Sequence, residues 1–149
     1  MKKVLGALAL SMSMAASAEN WVAVMDATDG TRMLVDSDSW IVGKDDKNPN
    51  SPYYAMAMFK FAGEGKIGDS FVYVTEVKSC DKGRGELVYR ARNGDKWETK
   101  ATYWFEADGH KMYDAGGKAL CDIFWVRARE MKEDKAKKNP AKLGSMPNV

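Results

Sequence analysis

Phe71-Val72-Tyr73-Val74-Thr75-Glu76-Val77-Lys78-Ser79-Cys80 is the stretch on which the fold turns. Its alternation places Phe71, Tyr73, Thr75 and Val77 on one face and Val72, Val74, Glu76 and Lys78 on the other, the period of a β-strand. Its last residue is one of only two cysteines in the chain. Upstream, Tyr53 to Phe61 is bounded by Pro52 and Gly63 and rich in aromatics, which favours a strand over a helix. Tyr53, Ala55, Ala57, Phe59 and Phe61 share one face; Tyr54, Met56, Met58 and Lys60 share the other. Both sets are largely apolar, so the spacing predicts a central strand covered on both sides.

Downstream, Asp81 to Gly85 turns the chain and Glu86 to Arg92 pairs back. Leu87, Tyr89 and Ala91 oppose Glu86, Val88, Arg90 and Arg92. Asn93-Gly94 is a hairpin signal, because a tight two-residue turn needs positive φ. The final long strand is Trp97 to Phe105, with Trp97, Thr99, Ala101, Tyr103 and Phe105 inward and Glu98, Lys100, Thr102 and Trp104 outward. Near the N-terminus, Trp21–Asp26 and Arg32–Val35 flank the turn Thr28-Asp29-Gly30. Asp36-Ser37-Asp38-Ser39 breaks the pattern before Trp40-Ile41-Val42, because these short polar side chains bond to nearby backbone. Gly43 to Pro52 reads as a solvated loop. The sum is an antiparallel meander of about six strands.

From Gly117 the period changes. Leu120, Phe124, Ala128 and Met131 recur at helical spacing with Ile123 beside them, and Arg129–Glu133 and Asp134–Lys138 are i,i+4 pairs. Asn139-Pro140 supplies a stop. A helix of about 20 residues would run about 30 Å, with Cys121 in its first turns. The predicted class is α+β: a bent antiparallel sheet with a C-terminal helix on one face.

The chain has 149 residues, enough for one core. Residues 1–18 read as a secretory leader: Lys2 and Lys3, an apolar run from Val4 to Met14, then small residues at Ala16-Ser17-Ala18. The run is too short for a membrane span, and no leader cysteine offers a lipid site. Removing the leader takes Lys2 and Lys3 and no acid, leaving 21 basic against 21 acidic residues. A neutral mature chain gives no reason to expect nucleic acid or an anionic membrane as partner. The division is then a leader over 1–18, one domain over 19–131 and a polar, basic, frayed extension over 132–149. Two cysteines in an exported chain favour a disulfide, Cys80–Cys121, clamping the helix to the end of the 71–80 strand.

The chemistry-bearing residues are sparse. His110, the lone histidine, sits in a polar turn with no second metal ligand at the right spacing. No nucleophile elbow, P-loop, zinc motif or dinucleotide pattern occurs, so no cofactor and no metal are expected. The glycines at 63, 65 and 68 belong to a hairpin loop. Lys82, Arg84, Arg90, Arg92, Lys96 and Lys100 gather on one hairpin, diluted by Glu86 and Glu98; Trp104 and Tyr54 lie on the less apolar faces. Cations beside an aromatic make Arg84, Arg90, Arg92, Lys100 and Trp104 the candidate binding set for an acidic ligand or another protein.

The order of these pieces resembles the surface-adhesin protein E family of exported Gram-negative proteins. The matching residues are Asn20-Trp21-Val22, Asp29-Gly30 leading into Val35-Asp36, Lys78-Ser79-Cys80-Asp81, and Gly117 followed by Ala119-Leu120-Cys121. The resemblance implies a bent antiparallel sheet with a disulfide-tied C-terminal helix, and a role in binding host matrix and plasma proteins. This sequence differs in lacking a lipid-acceptor cysteine and in carrying a basic extension beyond Cys121. The function expected is that of an exported, non-enzymatic binding protein of the periplasm or envelope. The alternative is an inhibitor of a cell-wall hydrolase such as lysozyme, presenting Gly63–Gly68 or Asp81–Gly85; a hydrolase comes third.

Overall fold

The structure, a computed structural model, describes residues 20–63 and 66–138. The leader, its cleavage point after Ala18, the centre of the Gly63–Gly68 loop, the Asn139-Pro140 stop and the rest of 139–149 lie outside the described residues.

Among the described residues eight strands and two helices follow one another: β1 (Trp21–Asp26), β2 (Arg32–Asp36), β3 (Ile41–Gly43), β4 (Tyr54–Gly63), β5 (Lys66–Ile67), β6 (Phe71–Glu76), α1 (Val77–Lys82), β7 (Arg84–Asn93), β8 (Lys96–Glu106) and α2 (Met112–Lys138). The main sheet runs β1-β2-β4-β6-β7-β8, with β3 and β5 also paired to β4, and every pairing is antiparallel. The fold is α+β, a bent antiparallel sheet with α2 packed against it.

β2 and β3 are two halves of one edge along β4, separated by the polar break at 37–40. Ser39 joins them. Its hydroxyl donates to the Asp36 carbonyl at 2.8 Å and accepts the Met58 N–H at 2.8 Å, so the backbone group left by the gap in the ladder is satisfied.

One face of the sheet carries the core. Met33, Val35, Ala55, Ala57, Phe59, Phe71, Tyr73, Leu87 and Phe105 are buried there beneath Leu120 and Cys121 of α2. Phe59, Phe71 and Tyr73 meet with ring centroids 5.0–5.8 Å apart, and Phe61 and Tyr89 extend the cluster. Such aromatic contacts add to the burial term.

The C-terminal helix starts earlier, and the strand read over 71–80 ends earlier, than the sequence suggests. Strand β6 stops at Glu76; Val77 to Lys82 form α1, closed by Gly83 in the left-handed conformation (φ 63°). Cys80 therefore sits on a helix, bonded to Cys121 with an S–S distance of 2.07 Å. The disulfide ties α1 to α2. Helix α2 begins at Met112 and holds Gly116 and Gly117 in its interior, where glycine normally weakens a helix. Close packing explains them. A Cβ on Gly116 would lie 2.5 Å from the Tyr73 ring, and one on Gly117 would collide with the ring of Phe105.

Helix α2 crosses the sheet from β8 to β1. Tyr113 stacks on Tyr103 of β8, and Arg127 bonds the Ser37 carbonyl and Asp38 beyond β2. The 14 steps between them span about 21 Å, close to the roughly 24 Å width of six strands. Residues past Arg127 overhang the sheet. Met131, expected in the core stripe, is 51% exposed for that reason, and the helix continues to Lys138 with mostly exposed side chains.

The hairpin turn is Gly94-Asp95, one residue later than the Asn93-Gly94 signal, with Asn93 facing Lys96. A second correction concerns the strand read as covered on both sides. Helix α2 covers Ala55, Ala57 and Phe59; neither helix lies over Met56 and Met58, which stay half-buried among their cross-strand neighbours.

Candidate functional site

The face opposite α2 is a grid set by strand register. One row across it reads Ile41, Met56, Val74, Val88, Thr102; the next reads Met58, Val72, Arg90, Thr99. Directly opposed side chains in an antiparallel sheet share a face, so the first row is a continuous, mostly apolar band across five strands. Met56, Met58, Val72, Val74 and Val88 are half-buried, and Ile41 is exposed. Gly43 to Asp45 border the band beside Tyr54, closing a shallow groove of about 320 Å³.

Cations flank this band toward both ends of β7. At one end Arg84 and Trp104 meet in a groove of about 390 Å³ with Lys78 and Lys82 of α1 and with Glu76 and Glu86. Trp104 is 58% exposed, presenting its ring as a platform. Lys78 pairs with Glu76 at 2.6 Å, and that bond holds its ammonium above the usual lysine range. The sequence named Arg84 and Trp104 as binding residues, and the structure brings these two together. It placed Lys82 in the same basic grouping but outside the binding set, and it missed Lys78, because reading 71–80 as a strand hid the i,i+4 helical spacing that sets the two lysines side by side.

At the other end, six residues or about 20 Å along β7, lies Arg90. Its guanidinium donates to the Trp97 carbonyl at 2.9 Å, while its buried Nε finds no acceptor among the described residues. Arg92 lies over the Trp97 ring at 5.6 Å from the centroid. Lys100 departs from the expected grouping. A bulge shifts the register so that Tyr89 faces Ala101 but Arg90 faces Thr99, which leaves Lys100 as the extra residue. Lys100 pairs instead with Glu98 at 2.7 Å, and that bond together with Asn93 draws the Glu98 carboxyl below its usual range. The same bulge turns Trp97 and Thr99, read as inward, onto the face of Arg90 and Arg92. Four of the five predicted residues thus form two clusters on one face, Arg84 with Trp104 and Arg90 with Arg92, and Lys100 stays outside both.

His110 is exposed in its turn. Among the described residues no three His, Cys, Asp or Glu side chains gather to hold a metal, and no helix is long and apolar enough to cross a membrane. Asp114, unremarked in the sequence, is buried and accepts the N–H groups of Glu106 and Lys111, each at 2.9 Å. It caps α2 as a residue of the first turn reaching back, and fixes the helix to the end of β8. Asp81–Gly85 is the end of α1, its cap and the start of β7 rather than a projecting loop.

Comparison with protein-family models, with curated proteins and with solved structures finds no match to this chain.

Proposed function

We propose that this chain is an exported, non-enzymatic binding protein of the periplasm or envelope, not lipidated, that docks an acidic protein partner on the sheet face opposite α2. The single observation that carries the reading is the Ile41–Met56–Val74–Val88 band, apolar and covered by neither helix, between an Arg84 cluster and an Arg90–Arg92 cluster. Buried apolar area supplies binding energy at such a centre, and flanking cations steer and select an acidic surface. Kinship with the surface-adhesin protein E family, suggested by the ordered sequence pieces, makes host matrix and plasma proteins the first candidates. Inhibition of a cell-wall hydrolase is the competing role; it would act through a projecting loop, and of its two candidates Asp81–Gly85 does not project while the centre of Gly63–Gly68 lies outside the described residues.

The test is a binding panel of immobilised matrix and plasma proteins, run beside inhibition assays on cell-wall hydrolases. Wild type is compared with Val74→Glu and with the double variant Arg90→Glu/Arg92→Glu. The reading expects one or more panel proteins to bind. Val74→Glu should reduce that binding at least tenfold, the double variant should weaken it, and wild-type binding should fade with salt. Hydrolase inhibition that both variants leave intact would overturn it.

A further inference from the structure

The outer side of β8 is the second surface left open, and it is an edge rather than a face. Ala107 donates its N–H to the Gly83 carbonyl at 2.8 Å, which sets the phase of the β7–β8 ladder. Bonded pairs alternate in an antiparallel ladder, so Phe105, Tyr103 and Ala101 turn their backbone groups toward β7, while Glu106, Trp104 and Thr102 turn theirs outward. Glu106 is already served: its N–H goes to Asp114 and its carbonyl accepts the Gly109 N–H at 2.9 Å. Thr102 and Trp104 are left, each offering one N–H and one C=O away from the sheet. Among the described residues no strand pairs there. A concavity of about 640 Å³ runs along this edge, lined by Thr102, Tyr103, Trp104 and the 109–114 segment.

Edges in natural sheets are blunted by shortness, bulges, charge or cover. The other edge, β1, has six residues, a bulge after Ala23 and α2 beside it. The Lys100 bulge protects the near half of β8 in the same way. Ala101 to Phe105 has neither charge nor proline, and exposes Tyr103 and Trp104.

We infer that β8 pairs with β8 of a second copy of this chain, antiparallel about a two-fold axis through Tyr103. That register is chosen by the bonds. It sets Thr102 of each copy opposite Trp104 of the other, as a bonded pair, so all four outward groups of each chain find partners. Centring on Trp104 would set Thr102 against Glu106, whose groups are occupied; centring on Thr102 would set Trp104 against the bulged Lys100. The axis also brings the two Tyr103–Tyr113 stacks together and turns Lys100 toward Glu106 of the other copy. Thr102 ends the apolar row and Trp104 belongs to the Arg84 cluster, but the interface uses their outward backbone groups. Val74→Glu and Arg90→Glu/Arg92→Glu lie on β6 and β7 and leave that edge untouched, so the two proposals fail separately.

The test combines sedimentation equilibrium with disulfide trapping on the full protein. Across the two-fold, Tyr103 would face its own copy as a non-bonded pair with Cα atoms about 4.5 Å apart, within reach of a disulfide. Tyr103→Cys should therefore yield a covalent dimer under mild oxidation, while Thr102→Cys, displaced by two residues from its own copy, should not. Thr102→Pro deletes an outward N–H without touching the β7 ladder and should weaken the dimer about tenfold or more. A wild-type monomer at every concentration overturns the inference. So does a dimer that traps equally well at 102 and 103, or a partner other than this chain occupying the edge in its place.

Discussion

Gly116 of α2 lies against the ring of Tyr73, so close that a methyl group added at Gly116 would stand 2.5 Å from Tyr73 Cε2. In an exposed helix, Gly→Ala would stabilise by about 1 kcal/mol. Here the sign reverses. Gly116→Ala, and Gly117→Ala against Phe105, should each cost about 1–3 kcal/mol through overpacking, measured by urea unfolding. A gain in stability at either position would mean that α2 does not seat on the sheet at this distance.

Reducing the disulfide, or replacing Cys121 by Ser, should lower the unfolding free energy by about 2–4 kcal/mol, from the closure of a 41-residue separation. Thermal melts with and without reductant measure it. Coincident melts would show that the noncovalent seat of α2 carries the clamp alone.

Asp114 is buried and accepts two backbone N–H groups, one from its own helix start and one from β8. Asp114→Asn sets an amide NH2 against one of those donors and should cost about 1–3 kcal/mol. Hydrogen exchange should show the Glu106 and Lys111 amides losing protection first; protection unchanged at both would remove Asp114 as the capping residue.

Stability should decline with alkali. Burial raises the Tyr73 hydroxyl above the usual tyrosine value of 10.0, helped by the Tyr103 and Tyr89 hydroxyls. Below about pH 10 both states hold the proton, and the contribution is complete. Above it the unfolded chain loses the proton while the folded chain keeps it, so stability falls as pH rises through this window. Urea midpoints between pH 8 and pH 11 measure the slope. Tyr73→Phe should flatten that slope, and an unaltered slope would assign the alkaline loss elsewhere.

Much of the sheet was legible because period-two alternation survives wherever one face is buried. The inner sets of 55–59, 71–75 and 87–91 were read correctly from it. What escaped was the effect of one inserted residue. The Lys100 bulge flips Trp97 and Thr99 to the other face, and parity counting has no sign for it. Helix α2 was read to start near Gly117, because two adjacent glycines argue against helix locally and only the rings of Tyr73 and Phe105 explain them. Val77 to Cys80 was read as the end of the strand, yet Val77 to Lys82 is helical, closed by the left-handed cap at Gly83. The same two features explain how the candidate binding residues fall: the bulge sets Lys100 apart from Arg90 and Arg92, and the α1 turn brings Lys78 and Lys82 beside Arg84. That neither helix covers the apolar band was also hidden, since alternation reports that a face is apolar and not which element packs on it.

The Cys80–Cys121 bond acquires a different meaning when the chain is pulled by its two ends. Tension entering at β1 and leaving through the tail of α2 passes from Cys80 directly to Cys121, whose Cα atoms are 5.1 Å apart. Residues 81–120, which hold β7, β8 and the first turns of α2, then hang outside the load path. Their roughly 140 Å of contour length stays out of reach of the stretched chain until the bond is reduced. An oxidised molecule under load can lose β1, β2 and β4 while the β7–β8 hairpin is never itself stretched.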